Sequence, residues 1–200
     1  MHLTERGPRR NGTLEGISFA DDFSTLYVSV EEPLYDDGPA ASLEESNAWV
    51  RFLKYDVATR KNVAQYPYKL EPIAHPAKPE NAFKMNGVSD ILAISPNRLL
   101  VIERSYSTGH SGCTIRVYEC NLHGASDIKD VPSLLKEPPS KPIEKKLLLN
   151  MESLGIYIDN IEGMTFGPNF PNGHKSLIFV SDNNFNETQR TQFLLFEVIP

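Results

Sequence analysis

The chain carries only two cysteines, Cys113 and Cys120. Two cannot form the multi-disulfide framework that staples a small secreted domain. If residues 113–120 form one strand, the pair lies roughly 23 Å apart at about 3.3 Å per residue. A disulfide needs Cα atoms within about 7 Å, so both read as free thiols, and their odd separation puts them on opposite faces. No run approaches the ~18 uncharged residues of a membrane helix, so no membrane span is expected. Met1–Arg10 holds no apolar segment and does not read as a secretory signal. Positive charge is in deficit, with 20 Lys and Arg against 26 Asp and Glu, a net charge of -6. That argues against a nucleic-acid partner, which needs a basic face, and is compatible with binding a cation. There is no glycine-rich phosphate loop and no convincing amphipathic helix. Histidines 2, 75, 110, 123 and 174 are scattered over loops without zinc-type spacing. Gly109-His110-Ser111-Gly112 is too isolated for a nucleophile elbow.

What is there is ordinary globular material: 40% hydrophobic and 23% charged residues, enough for one sizeable core. Two hundred residues fit one domain, or two at most. Short apolar runs of strand length recur, bounded by turn residues. Strands are expected at 15–19, 26–30, 49–56 and 62–68, then at 91–94, 99–103, 114–119 and 145–150. Three more are expected at 161–166, 177–181 and 192–198. Long loops fall at 31–48, 71–87 and 123–144, the last with a helical turn near 131–136. Asp21-Asp22-Phe23-Ser24 reads as a turn, as does Asp36-Asp37-Gly38, and the aromatics of Tyr66-Pro67-Tyr68 and 193–196 read as core. Asn11-Gly12-Thr13 and Asn186-Glu187-Thr188 fit the glycosylation sequon, relevant only in a eukaryotic secretory pathway. The pattern predicts an all-β fold, β-propeller-like, of about three four-stranded units with the last incomplete. One domain is expected over 1–200, with units at roughly 14–70, 88–150 and 159–200.

Carboxylates recur at two points of each unit. Leu14-Glu15-Gly16-Ile17, Ser89-Asp90-Ile91 and Ile161-Glu162-Gly163-Met164 open the first strands, and Glu15, Asp90 and Glu162 align at spacings of 75 and 72. Glu31, Glu103 and Asp182 close the second strands. Self-similarity at a regular spacing marks a repeat architecture. In a propeller the inner strand of each blade lines the axis, so these six side chains are expected to converge. Converging carboxylates repel unless something positive sits among them. Oxygen-rich sites suit calcium, and a metal there can polarise a phosphoryl oxygen. The bland alternative is that each carboxylate caps a turn or takes backbone hydrogen bonds between blades. Asp159 and Asn160 sit at the entry of the third inner strand, and Asn160 shares a face with Glu162. Asp182-Asn183-Asn184 reads either as a calcium loop or as an Asx-rich turn. Arg104 can bind a phosphate or pair with a neighbouring carboxylate.

Seven pieces in order resemble the phytase-like family, described as the esterase-like activity of phytase. They are Asn11-Gly12-Thr13-Leu14-Glu15-Gly16, Glu31-Glu32-Pro33-Leu34-Tyr35-Asp36-Asp37-Gly38, Tyr66-Pro67-Tyr68, Gly87-Val88-Ser89-Asp90-Ile91, Glu103-Arg104-Ser105-Tyr106, Asp159-Asn160-Ile161-Glu162-Gly163, and Ser181-Asp182-Asn183-Asn184-Phe185 with Thr191-Gln192-Phe193. The resemblance implies a β-propeller, export to the periplasm or outside, and a phosphoesterase-like activity carried by repeated Glu and Asp residues. It implies that the chain corresponds to the C-terminal part of the family domain. Asp90 stands where the family often has Glu, with the same charge and a shorter reach.

Two functions of different class follow. The first is a metal-dependent phosphoesterase-like hydrolase acting on a phosphorylated small molecule. Its expected catalytic residues are Glu15, Glu162 and Arg104. Its expected metal ligands, calcium being the metal, are Glu15, Glu31, Asp90, Glu103, Asp159, Glu162 and Asp182. The alternative is a non-catalytic propeller that binds a ligand or protein through its long loops. An open set of blades also leaves apolar flanks, expected around Trp49, Phe52 and Tyr55, through which copies of the chain can associate.

Overall fold

The computed structural model describes residues 5–20 and 23–199. Asp21 and Asp22, half of one expected turn, lie outside them. Among the described residues eleven strands form three antiparallel sheets, with one short 3-10 helix at Met151–Leu154. The first sheet runs β1 (Leu14–Phe19), β2 (Thr25–Val30), β3 (Trp49–Asp56) and β4 (Lys61–Lys69). The second runs β5 (Lys84–Ser95), β6 (Arg98–Ser107), β7 (Thr114–Asn121) and β8 (Glu144–Asn150). The third holds β9 (Ile161–Gly167), β10 (Lys175–Ser181) and β11 (Phe193–Val198). Each sheet is a meander, and the inner strands β1, β5 and β9 lie side by side. This is the propeller-like all-β plan, not closed into a ring. Among the described residues no helix is long and apolar enough to cross a membrane.

The second sheet is the middle layer, and its sequence shows it. β6 is apolar on both faces: Leu99 and Val101 enter the core shared with the first sheet, Leu100 and Ile102 the core shared with the third. A strand buried on both sides reads as a continuous apolar run rather than an alternation. β7 does the same with Tyr118 and Cys120 on one side, Ile115 and Val117 on the other. Cys113, just ahead of β7, packs with the second core, so the two free thiols do face opposite ways. β5 begins earlier than the sequence implies, at Lys84. Residues 84–87, expected in a loop, pair with Arg104–Ser107 of β6.

Two long loops are tied down by an ion pair that the sequence does not advertise. Asp37 is wholly buried and accepts from Arg51 Nε and Nη2, each at 2.7 Å. It also accepts from the Leu134 N–H at 3.0 Å, and Arg51 donates to the carbonyls of Ile128 and Val131. The loop 31–48 is thus pinned to the loop that follows β7. Trp49, Ile128 and Leu134 make a small third core beneath them. The turn near 131–136 is present, with Glu137 N–H bonded to the Ser133 carbonyl at 3.0 Å.

The exposed flank differs from expectation. Trp49 and Phe52 are buried, Phe52 stacked on Tyr68 with ring centroids 4.9 Å apart. They point to opposite faces of β3, and both faces are covered there. Leu14, Ile17 and Phe19 of β1 form the open face instead. On the third sheet Phe193 and Leu195 are open, while Phe196 packs edge-on against Phe179. Of the aromatics expected in the core, Phe193 is therefore outside it.

Asp37→Ala is expected to cost about 3–5 kcal/mol, because it strands a buried guanidinium; urea unfolding measures it. The open flanks predict association that rises with concentration. Light scattering at several concentrations checks this, and Ile17→Glu together with Leu195→Glu should keep the chain monomeric.

Candidate functional site

The site begins with a repeated irregularity of the inner strands. In β1, Leu14 pairs with Val30 and Ile17 with Val28, so two residues oppose one. In β5, Val88 pairs with Glu103 and Asp90 with Ile102. In β9, Ile161 pairs with Ser181 and Gly163 with Val180. Each is a β-bulge at the same point of its sheet, a device that re-aims a side chain. The equivalent positions are therefore Glu15, Ser89 and Glu162, and on the partner strands Glu31, Arg104 and Asp182. Asp90 and Glu103 are each offset by one residue from the alignment read in the sequence. A one-residue offset sends a strand side chain to the other face.

Arg104, on β6, is the centre of what these positions build. Its Nη2 donates to Glu31 Oε1 at 2.8 Å and its Nη1 to Glu162 Oε1 at 3.2 Å. Nη1 also donates to Asn160 Oδ1, and Asn160 Nδ2 donates to Glu162 Oε1 at 2.8 Å. The Arg104 Nε–H is buried without a partner. Glu31 lies against β5 because position 87 is glycine: a Cβ there would come within 2.8 Å of Glu31 Cγ. The Val88 N–H holds the Glu31 carbonyl at 3.0 Å. Glu15, exposed at the head of β1, interacts electrostatically with both Arg104 and Glu162. Three sheets thus bring Glu31, Arg104, Asn160 and Glu162 into contact, with Glu15 near enough to feel the charge of Arg104 and Glu162.

Acidic groups outnumber the single guanidinium there. Burial raises the Glu31 carboxyl to about 7, with Arg104 opposing and Glu15 and Glu32 adding to the rise. Partial burial also raises Glu15, Arg104 opposing and Glu162 reinforcing. Glu162 is the most open carboxylate paired with Arg104, its side chain about a third exposed. Arg104 and Asn160 line a polar cleft of about 450 Å³ with Met85, Tyr106, Cys113 and Tyr157. Burial pushes the Cys113 thiol up to about 11, so it is no nucleophile at neutral pH. A wider groove of about 590 Å³, between residues 41–44 and 82–84, holds none of the predicted residues.

The other predicted residues sit elsewhere in the network. Asp90 bridges two sheets, Oδ2 accepting from the Met164 N–H and Oδ1 from the Ile91 N–H, each at 2.8 Å. Burial raises it to about 6, with those two bonds opposing and Glu15 adding. Glu103 is buried on the far face of β6. It accepts from Tyr68 Oη (2.6 Å), the Glu71 N–H (3.0 Å), Asn86 Nδ2 and Lys145 Nζ (both 2.7 Å). Asp159 is buried and accepts from the Asn160 N–H at 2.9 Å, the Arg190 N–H at 2.7 Å and Tyr157 Oη at 3.1 Å. It positions Asn160 and the loop beyond β10. Asp182 is exposed and accepts from the Asn184 N–H at 3.1 Å, and Asn183 does the same for Phe185. Those are successive Asx turns.

The donors around Arg104 are of the type a hard cation prefers, but among the described residues no three of these carboxylates offer oxygens within 4.8 Å of one another. Glu15, Glu31, Glu162 and Asn160 offer only oxygens, the ligand chemistry of calcium. Because Glu15 and Glu31 hold their protons to higher pH than usual, this group gains net negative charge only as they ionise, and a bound cation would favour that ionisation.

In the fold, Glu31 keeps its proton up to about pH 7, whereas unfolded it ionises near 4.5. The unfolded state gains from ionisation as pH rises through that window, so stability from this group falls between pH 4.5 and 7. Asp90 acts with the same sign between 3.8 and about 6. The fall due to Glu31 is on the order of 3 kcal/mol. Urea unfolding across this range should show the difference between the wild type and Glu31→Gln shrinking toward low pH; parallel curves would refute the assignment.

A model of the phytase-like family, described as the esterase-like activity of phytase, matches residues 2–185. Comparison with curated proteins and with solved structures found no match. The match spans most of the sequence and every residue placed around Arg104, and the chain belongs to the phytase-like family.

Proposed function

We propose that the chain is a metal-dependent hydrolase of phosphoric esters whose reactive centre is Arg104 with Glu15, Glu31, Asn160 and Glu162. A phytase-like hydrolase is what the family supports. One observation carries the finer reading: a guanidinium with an unpartnered Nε–H, held among carboxylates at the end of a polar cleft. Guanidinium groups bind phosphoryl oxygens. Glu162, the open carboxylate, takes a proton from the attacking water. Glu15, which holds its proton to higher pH than usual, gives one to the leaving alcohol oxygen as the P–O bond breaks. Glu31 and Asn160 orient Arg104. Calcium held by Glu31, Asn160 and the second oxygen of Glu162 would supply charge to offset the phosphoryl oxygens, leaving the Glu15 carboxyl free to keep its proton for the leaving group. Asp90, Glu103 and Asp159 serve as positioning residues for this group, and Asp182 stays on its rim.

The alternative, a binding propeller that uses its long loops, is less favoured. The Asp37–Arg51 pair commits two of those loops to packing. Export from the cytoplasm is proposed from the family resemblance alone, and fractionation of the source cells checks it.

The test is a panel of phosphomonoesters and phosphodiesters with and without millimolar calcium. Turnover should require the metal, and Glu162→Gln should lower kcat by roughly 100-fold or more, the usual weight of a general base. Calcium should also raise the Tm of the wild type and act less on Glu162→Gln. Binding without turnover would leave the binding module standing; no calcium effect on either readout would remove the metal.

A further inference from the structure

The structure brings together three residues that the sequence leaves scattered. His75 lies in the loop before β5, His110 in the turn between β6 and β7, and Glu152 in the 3-10 helix after β8. One ligand atom from each lies within 4.8 Å of the other two. His75 Nε2 meets Glu152 Oε1 at 2.5 Å, and the two imidazoles stack with centroids 4.0 Å apart.

We propose that His75, His110 and Glu152 form a binding site for a divalent transition metal of the zinc class, on the rim of the cleft that Arg104 lines. This goes beyond the proposed hydrolase and does not rest on it.

The chemistry of the set differs from that of the Arg104 cluster. Two imidazoles and one carboxylate suit zinc, while calcium and magnesium prefer oxygen alone. Zinc with these ligands sits about 2.0–2.2 Å from each, so ligand atoms now up to 4.8 Å apart must draw closer and the exposed His110 ring must turn out of its stack on His75 to aim its nitrogen at the ion. His110 and Glu152 are exposed and His75 half-buried, so neither the metal nor a water in the fourth position is shut out. Two histidines, one carboxylate and an open position is the plan of a catalytic rather than a structural zinc.

The frame around the ligands is built. The turn bearing His110 is drawn in by two glycines at positive φ. A Cβ on Gly109 would come within 2.7 Å of the Lys78 carbonyl oxygen, and one on Gly112 within 2.3 Å of that of Ile158. The His75 carbonyl accepts from Ser107 Oγ at 2.6 Å. Glu152 is oriented by the buried Thr114, whose Oγ1 donates to Oε1 at 2.9 Å, and by Asn150 Nδ2 at 3.2 Å from Oε2. Such second contacts fix a metal's ligands in place. His110 also lines the Arg104 cleft, so an ion here faces the same space.

The probe is zinc chloride, titrated calorimetrically into the whole chain after chelator treatment. One ion per chain should bind. Affinity should fall at least about tenfold in His75→Ala and in His110→Ala, and by a similar factor in Thr114→Val. Glu162→Gln should bind zinc as the wild type does, which separates this site from the Arg104 cluster. X-ray absorption at the zinc edge should show two imidazole nitrogens. His110 sits on an exposed turn, so its alanine variant should keep the wild-type circular dichroism melt. Failure to take up zinc, or equal affinity in the folded His110→Ala variant, overturns the proposal.

Discussion

Two consecutive side chains of β6 hold the three sheets together. Glu103 and Arg104 point to opposite faces because strand residues alternate. Glu103 reaches toward the first sheet and gathers Tyr68, Glu71, Asn86 and Lys145. Lys145 also lies over the rings of Tyr68 and Tyr118, 4.6 Å from each centroid. Arg104 reaches Glu31 from the end of β2 and Asn160 and Glu162 from the start of β9. Removing either partner from such a pair leaves its counterpart poorly compensated away from water. The electrostatic site and the docking of the sheets are therefore not independent. The group that would handle a phosphoryl oxygen is also the tie between the outer sheets.

Much of this was legible in the sequence, for a reason. Apolar runs of strand length between turn residues give the strands, because the period of a strand is short and local. The repetition of Glu15-Gly16 and Glu162-Gly163 exposed the shared plan of the inner strands. What the sequence could not give was register. Asp90 and Glu103 look equivalent to their neighbours in a repeat alignment, yet the bulges shift each by one position. One position is a change of face, so Glu103 became a tie and Arg104 took the place at the cleft.

Contacts between distant loops were harder still. Asp37 reads as part of a turn, and nothing near it announces that Arg51 and Leu134 complete its hydrogen bonds. Trp49 and Phe52 look like an exposed flank until the loop carrying Ile128 and Leu134 covers one and the second sheet the other. His75, His110 and Glu152 come from three separate connections. Their meeting depends on loop paths that glycine allows rather than on any spacing along the chain.

The middle sheet has a core on each face, and the outer sheets share one core apiece with it. Resistance to local opening follows burial, so backbone amides of β6 and β7 should exchange with solvent last and those of β11 among the first. Yet Asn160 and Glu162 belong to the third sheet. The chemistry at Arg104 would then be as durable as the least protected layer, and a fluctuation that loosens β9 would disarm the cleft long before the chain as a whole unfolds.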